Sequence, residues 1–445
     1  MKIGNLEKLR NIKSYVDYIE EIKLILQSSR EELEKRILET LNIQLEYAGK
    51  NSPFYIERSK QGKMPRKIKA LAELSEIQFT TKKDLRNAYP FGFIAVPRSR
   101  IIRYGESTGT TGSPTSSFMT RDEWERDNLW TTLSYMNFFS EEDMVFIAIP
   151  YELAFASVAF EKAFWNIGAT VVAVGTLNMV CPWERTLKMM RVLHPSVLIC
   201  TPTRALRLHD KLTEAGHDPG EVKLKTLFYA GETCSSAKLN KIAKLWNINI
   251  LTAYGTTETN ALSLPCQYGN QHLVEDRYYF EVIDPESGRP IEGKSRGELV
   301  ITSLVAEAMP LIRYRTGDIV CIEEEPCPCG VPFRRLQHYG RYNEKITIGN
   351  NNILKIDLEE AILSVEGTGC YYAAAAEDDV LQILVELVGA DKRRISEAVY
   401  DKVLKRFGVK PSVHEANREA FCKAMDNMLK PGSLSLKQIK EINKV

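Results

Sequence analysis

The sequence predicts an α/β protein: a large N-terminal domain of parallel α/β subdomains plus a small β module, then a small mobile α+β domain. Three observations carry this expectation. From about Asp143 to Ala253, short apolar runs alternate with helical stretches, the pattern of a parallel sheet covered on both faces. After Tyr254 short strands separated by Gly and Pro take over. Beyond the polar break at Gly340-Arg341-Tyr342-Asn343, strands and helices mix over about 100 residues, an ordinary small-domain size. At 445 residues the chain is too long for one core. The expected domains are therefore 1–340 and 341–445.

Taken in order, residues 1–50 read as charged amphipathic helix, with Tyr15, Ile19, Ile22, Ile25 and Leu26 at helical spacing. Phe79-Thr80-Thr81-Lys82-Lys83-Asp84 reads as a helix start, with Thr as cap and Asp in the first turn. Strands are expected at 144–149, 170–174, 197–200, 226–229 and 249–253, with helices between them to Trp165 and at 183–193, 205–215 and 236–245. The β module supplies strands at 279–283, 297–302 and 318–322. The tail supplies strands at 346–348 and 382–387 and helices at 357–363 and 393–407.

Composition narrows the function. A formal net charge of +1 gives no bulk field for nucleic acid or an anionic membrane. The most apolar stretch, Met144 to Phe160, is broken by Pro150 and Glu152, so no membrane span is expected. Met1 to Glu20 has no apolar block, so no signal peptide is expected. With that start, an odd cysteine count of nine argues for reduced thiols and a cytoplasmic protein.

The richest segment is Tyr104-Gly105-Glu106-Ser107-Thr108-Gly109-Thr110-Thr111-Gly112-Ser113-Pro114-Thr115. Glycines expose backbone N–H groups, and the hydroxyls of Ser107, Thr108, Thr110 and Thr111 add donors that can wrap a polyphosphate. No Lys follows Gly112, so this is not the P-loop of nucleotide hydrolases. A plain surface turn is the bland alternative. At Tyr254-Gly255-Thr256-Thr257-Glu258 a strand runs into a polar turn. There Tyr254 can stack on a base, Thr257 can bond a phosphate, and Glu258 can hold hydrated Mg²⁺. The alternative is a turn with a surface acid. Asp318, read as standing directly before a strand, can accept both hydroxyls of a ribose or else pair with Arg313 and Arg315. Cys327-Pro328-Cys329, with Cys266 and His272 upstream, can make a Cys₃His set for zinc, the alternative being that Cys327 and Cys329 are reduced surface thiols. His194, His209, His217, His338 and His414 have no acid or nucleophile at suggestive spacing and read as structural or solvent-facing. No G-x-S-x-G elbow or H-E-x-x-H helix is present.

In order, these motifs resemble the adenylate-forming ligase superfamily (the acyl-CoA synthetase and adenylation-domain type), most closely its phenylacetate–coenzyme A ligase branch. The resemblance runs from about Phe79 to the end. It includes Tyr89-Pro90-Phe91-Gly92, Ala230-Gly231-Glu232, Glu275-Asp276, and the run from Glu307 to Asp318. It implies ATP- and Mg²⁺-dependent activation of a carboxylic acid, aryl or arylacetic, to an acyl-adenylate. The acyl group then goes to coenzyme A or to the phosphopantetheine of an acyl carrier protein. Alternatives are an amine acceptor or a nucleotide-binding protein without turnover, and a homodimer stays open. By resemblance Ser107 to Gly112 hold the phosphates. Gly231, Glu232, Tyr254 and Gly255 serve the base, Thr257 and Glu258 the α-phosphate and magnesium, Asp318 the ribose, and Arg341 the nucleotide. Tyr151, Phe155, Tyr229 and Ala230 line the acid pocket, and the Cys₃His set falls on a zinc-bearing pattern. The tail places Lys440 as the catalytic lysine, with Lys437 as rival. Asn343, Asn350 and Lys355 depart from the family's hinge acid, turn glycine and proline. Asn tolerates left-handed backbone, so Asn350 is compatible with the turn.

Overall fold

The computed structural model describes residues 3–107, 113–176, 180–291 and 293–426. By compactness the chain divides into two units, Met1–Thr176 with Leu251–His338, and Leu177–Ile250 with Tyr339–Val445. The last of the three cuts, between His338 and Tyr339, falls beside the expected 340/341 boundary. The segment 177–250 groups with the tail, a grouping that no sequence signal announced.

In the first unit the N-terminal stretch is two main helices, Val16–Gln27 and Arg30–Asn51, in place of one. Ser29 divides them: its side chain accepts the Glu32 N–H, and Glu32 accepts the Ser29 N–H in return. Tyr15, Ile19, Ile22, Ile25 and Leu26 are all buried, as their spacing predicted. The Thr81–Asp84 pair caps the Lys82–Asn87 helix in the same reciprocal way. Ile101–Glu106 and Ser116–Thr120 form an antiparallel hairpin. The strands Met144–Ile147 and Thr170–Ala173 pair in parallel. The Ala156–Ile167 helix between them ends on Gly168 at φ +94°, a left-handed cap that glycine adopts without strain.

The β module is larger than predicted. Among the described residues it is a seven-stranded sheet, in the order Tyr278–Ile283, Gly297–Ser303, Tyr314–Glu323, Arg335–Arg341, Gln271–Leu273, Asn260–Pro265, Tyr254–Thr256. The third of these begins at Tyr314, so Asp318 lies inside a strand and not ahead of one.

In the second unit, Val197–Cys200 and Thr226–Tyr229 pair in parallel, flanked in sequence by the helices Trp183–Leu193, Pro202–Glu214 and Ser236–Trp246. The tail contributes the three-stranded sheet Thr368–Glu377, Val380–Leu387, Pro411–Glu415 and the helices Lys355–Leu363, Lys392–Phe407 and Arg418–Asp426. Leu358, Ile362, Leu381, Ile383, Val399 and Val403 form its core, and Ala237 of the Ser236–Trp246 helix packs into the same cluster. In the Ile346–Ile348/Asn351–Ile353 hairpin the left-handed residue is Gly349, at φ +53°. Gly leads the two-residue turn, so Asn350 is not asked for that geometry. Among the described residues no helix is long and apolar enough to cross a membrane.

Candidate nucleotide site and metal centre

The pair Glu106↔Ser116 closes the first hairpin, so Ser107 to Thr115 is its connection. Thr108, Gly109, Thr110, Thr111 and Gly112 lie outside the described residues. At the base, the Ser107 N–H donates to Thr115 O at 3.0 Å, and the Thr115 N–H donates to Ser107 Oγ at 2.9 Å. The Thr115 hydroxyl stands 3.0 Å from Ser107 Oγ and 3.0 Å from Glu258 Oε1. Lys82 Nζ is 3.6 Å from that same carboxylate oxygen, and the Glu258 side chain is only 5% exposed. There an ammonium and a hydroxyl stand in for the water the carboxylate has lost. The structure therefore joins Ser107 to Glu258 through Thr115, and adds Lys82 to the same carboxylate. One face of the hairpin is packed tight: a Cβ on Gly105 would stand 2.9 Å from the Phe155 ring.

Glu258 is delivered by a second hairpin, Tyr254–Thr256 with Asn260–Pro265. A Cβ on Gly255 would meet Asn260 O at 2.0 Å, so only glycine permits this closure. Thr257 and Glu258 occupy its tip. At its start, the Tyr254 hydroxyl donates to Asp318 Oδ2 at 2.7 Å. The Tyr254 ring stacks on His338, centroids 4.7 Å apart, and His338 Nε2 lies 3.7 Å from Asp318 Oδ1. His338 thus has an acid and an aromatic partner, compatible with its reading as a structural residue. The acid comes from the neighbouring strand, which spacing along the chain does not reveal.

Asp318 is 3% exposed. Its strand pairs Val300 with Arg315 but Glu298 with Ile319, an irregularity that holds Thr316, Gly317 and Asp318, with Gly317 at φ +76°. Bulges of this kind re-aim side chains beside sites. Arg313 and Arg315 are spent elsewhere: Arg313 donates to Glu281 at 2.9 Å and 3.2 Å, and Arg315 to Glu298 at 3.0 Å. The alternative of a salt-bridged turn between Asp318 and these arginines is thereby set aside.

The second unit carries Tyr229, at the end of its strand, and Ala230, whose N–H donates to Cys200 O at 3.2 Å. Gly231 follows at φ +80°. The Glu232 carboxylate accepts the Thr203 hydroxyl at 2.5 Å. Arg341 closes its strand and is exposed. In the first unit Phe155 is 2% exposed and packs with Met119, Trp124 and Ala159. Tyr151 is half-buried, its phenol pushed up by burial and by the Glu161 charge. Lys440 and its rival Lys437 lie outside the described residues.

The cysteine set converges. The ligand atoms of Cys266, His272, Cys327 and Cys329 all lie within 4.8 Å of one another. Cys266 Sγ and Cys327 Sγ are 3.9 Å apart, and Cys329 Sγ and His272 Nε2 are 3.2 Å apart. Thiolates bound tetrahedrally at about 2.3 Å from one zinc stand about 3.8 Å apart, whereas a disulfide brings sulfurs to about 2 Å. His272 Nδ1 lies 2.8 Å from Phe333 O, which fixes the tautomer and leaves Nε2 facing the sulfurs. The Asn270 amide and the Val331 N–H donate to Cys327 Sγ and Cys329 Sγ at 3.3 Å and 3.5 Å. A hydrogen bond with Cys329, helped by His272, holds the Cys266 thiol well below its ordinary value. Donor set, spacing and supporting bonds fit a closed zinc site.

Comparison with known proteins agrees with this geometry. The AMP-binding enzyme family matches residues 107–305. A phenylacetate–coenzyme A ligase of Aromatoleum evansii is 30% identical over 77% of this chain and 78% of its own. One from Pseudomonas putida is 29% identical over 76% of this chain and 77% of its own. Among solved structures, a 2-hydroxyisobutyryl-CoA ligase in the postadenylation state with 2-HIB-AMP superposes with a TM-score of 0.81. It covers 94% of this chain and 92% of that one at 20% identity, a likeness of fold. From relatives matched over three quarters of both chains, and from motifs that run in order along the same span, the protein belongs to the phenylacetate–coenzyme A ligase branch of the adenylate-forming, AMP-binding enzymes.

Proposed function

We propose that this protein activates an aryl or arylacetic acid with ATP and then passes the acyl group to the thiol of coenzyme A. Its class, an ATP-dependent, AMP-forming acid–coenzyme A ligase, follows from the family to which it belongs. In the first half-reaction a carboxylate oxygen bonds to the α-phosphorus, the bond from that phosphorus to the α,β-bridging oxygen breaks, and pyrophosphate leaves. In the second, the thiolate sulfur attacks the acyl carbon and AMP departs. An anion must approach an anionic phosphate, so donors and cations have to neutralise the growing charge.

The observation that carries the reading is the cluster at the hairpin base: Thr115 and Lys82 on the nearly buried Glu258 carboxylate, with Ser107 held to Thr115. There the hydroxyl ribbon from Ser107 to Gly112 would cradle the phosphates and Thr257 the α-phosphate. Glu258 would hold Mg²⁺, whose chemistry is charge neutralisation through hard oxygen ligands. Asp318 would take the ribose, Tyr254 and Gly255 the base with Gly231 and Glu232, and Arg341 the nucleotide. Lys440 would bridge acid and phosphate from a mobile domain spanning 341–445. Tyr151, Phe155, Tyr229 and Ala230 would receive the aryl group, and the Cys₃His set would hold a structural zinc. The test is pyrophosphate release with ATP, Mg²⁺ and a panel of aryl and arylacetic acids, followed by mass spectrometry with coenzyme A. Thioester with an aromatic acid supports the reading. Folded protein silent across the panel overturns it. Product found only with a carrier-protein pantetheine arm or an amine reassigns the acceptor.

A further inference from the structure

A buried ion cluster in the second unit joins the Gly231 turn to the C-terminal module. Lys238, on the Ser236–Trp246 helix, is 7% exposed. Its Nζ lies 3.5 Å from Glu232 Oε1 and 3.4 Å from Glu359 Oε2. Glu232 follows the left-handed Gly231 and is held on its other side by Thr203, through the hydroxyl at 2.5 Å and the N–H at 3.3 Å. Glu359 belongs to the Lys355–Leu363 helix and accepts the Ser235 N–H at 2.7 Å. Its neighbour Glu360 accepts the Ala237 N–H at 2.8 Å. Two acids of the tail thus cap the N-terminus of the helix that carries Lys238, where negative charge is favoured.

One ammonium therefore serves two carboxylates from segments far apart in sequence. Burial works against the lysine's charge, yet Glu359 and Glu232 hold its pKa well above the ordinary value. Removing the ammonium leaves two desolvated carboxylates without a cation, so one must take up a proton or turn away. Glu359 is fixed by a backbone N–H within a helix. Glu232 sits on a turn beside a glycine and is the freer to move.

We propose that Lys238 is a positioning residue: it holds Glu232, and with it the Gly231 turn, in the form that receives the nucleotide, and it does so through the docked Glu359. ATP affinity then depends on docking of the C-terminal module, and bound ATP strengthens that docking by the same factor. The inference rests on the reading of Gly231 and Glu232 as the base-side turn. A neighbour separates positioning from simple support. Lys241, on the same helix, bonds Thr368 of the tail through its hydroxyl at 3.2 Å and shows no bond to Glu232.

The experiment is calorimetric titration of the full chain with Mg-ATP, beside melting curves. Lys238→Met and Glu359→Gln should each weaken ATP about tenfold, within the usual span of couplings between sites. The double variant should lose no more than either single one, because both break one unit. Lys238→Arg, whose fork can reach two carboxylates, should recover most of the affinity. Lys241→Met should lower Tm and leave ATP affinity within about twofold of wild type, as expected for a site outside the relay. Lower Tm with wild-type affinity in both Lys238→Met and Glu359→Gln overturns the inference. The near-isosteric Glu359→Gln decides alone if Lys238→Met fails to fold. Wild-type protein that binds no ATP sinks the reading of the nucleotide site itself, and the relay with it.

Discussion

Two clusters of the first unit are built alike and differ in chemistry. Both gather residues from distant segments: Cys266 and His272 with Cys327 and Cys329, and Ser107 and Thr115 with Glu258 and Lys82. The first set is soft and closed. Its four donor atoms face one another, its histidine is fixed by Phe333, and two of its sulfurs receive N–H bonds, so it has room for one ion and no substrate. The second set is hard and mixed in charge. A carboxylate is held by groups whose bonds a magnesium ion or a phosphate could replace. Donor softness and saturation would thus separate a proposed staple from a proposed reaction site, although both are buried and both are polar.

The largest expected effect tests the staple. Structural zinc contributes on the order of 10 kcal/mol to small domains, comparable with the whole stability of a typical fold. Cys329→Ser, or prolonged chelation, should unfold the β module and release one zinc per chain by metal analysis. If purified protein carries no zinc and the variant melts within about a degree of wild type, the contrast between the clusters collapses.

Next in size is the reaction cluster. Glu258→Gln keeps shape and hydrogen bonding while removing charge, and should slow pyrophosphate release on the order of 10²–10³-fold, the scale of one transition-state group. Tm should hardly move, the reverse of the zinc variant. Should stability fall while turnover holds, the hairpin base is a staple as well. Thr115→Val keeps the two bonds made by the Thr115 backbone to Ser107 and deletes the hydroxyl that stands between Ser107 Oγ and Glu258. A loss of about tenfold in turnover is expected for a charge-assisted hydrogen bond of about 1.5 kcal/mol.

The contrast also explains what the sequence reveals. The Cys₃His set is legible because cysteine and histidine are few, and the four residues do come together on folding. The hydroxyl ribbon is legible by composition, and Glu258 by its motif. What joins them is not, because Thr115 and Lys82 acquire roles only when two hairpins and a helix cap meet. The Asp318 partner of His338 is hidden for the same reason, since that acid stands on an adjacent strand. The Arg121–Tyr135 helix left no periodic stripe to read. It is buried nearly all round, with Asp127, Asn128, Thr131, Thr132 and Ser134 inside beside Trp130 and Leu133. The seven-stranded sheet was underestimated because Tyr254–Thr256 and Gln271–Leu273 are three residues each, too short to show alternation.

The smallest prediction asks how far the hard cluster extends. Tyr254 touches Asp318 through its hydroxyl and His338 through its ring, so the two contacts can be separated. Tyr254→Phe removes only the 2.7 Å bond. If the ring supplies the stacking surface and the hydroxyl merely orients Asp318, KM for ATP should rise about threefold with kcat unchanged, as expected for one hydrogen bond near 0.7 kcal/mol. Tyr254→Leu, which loses the stacking as well, should raise KM further. Equal losses in the two variants would place the whole contribution in the hydroxyl and make Asp318 the only binding group of the pair. No loss in either would confine the nucleotide site to the hairpin base and leave the Asp318 bulge, like the zinc staple, a matter of architecture.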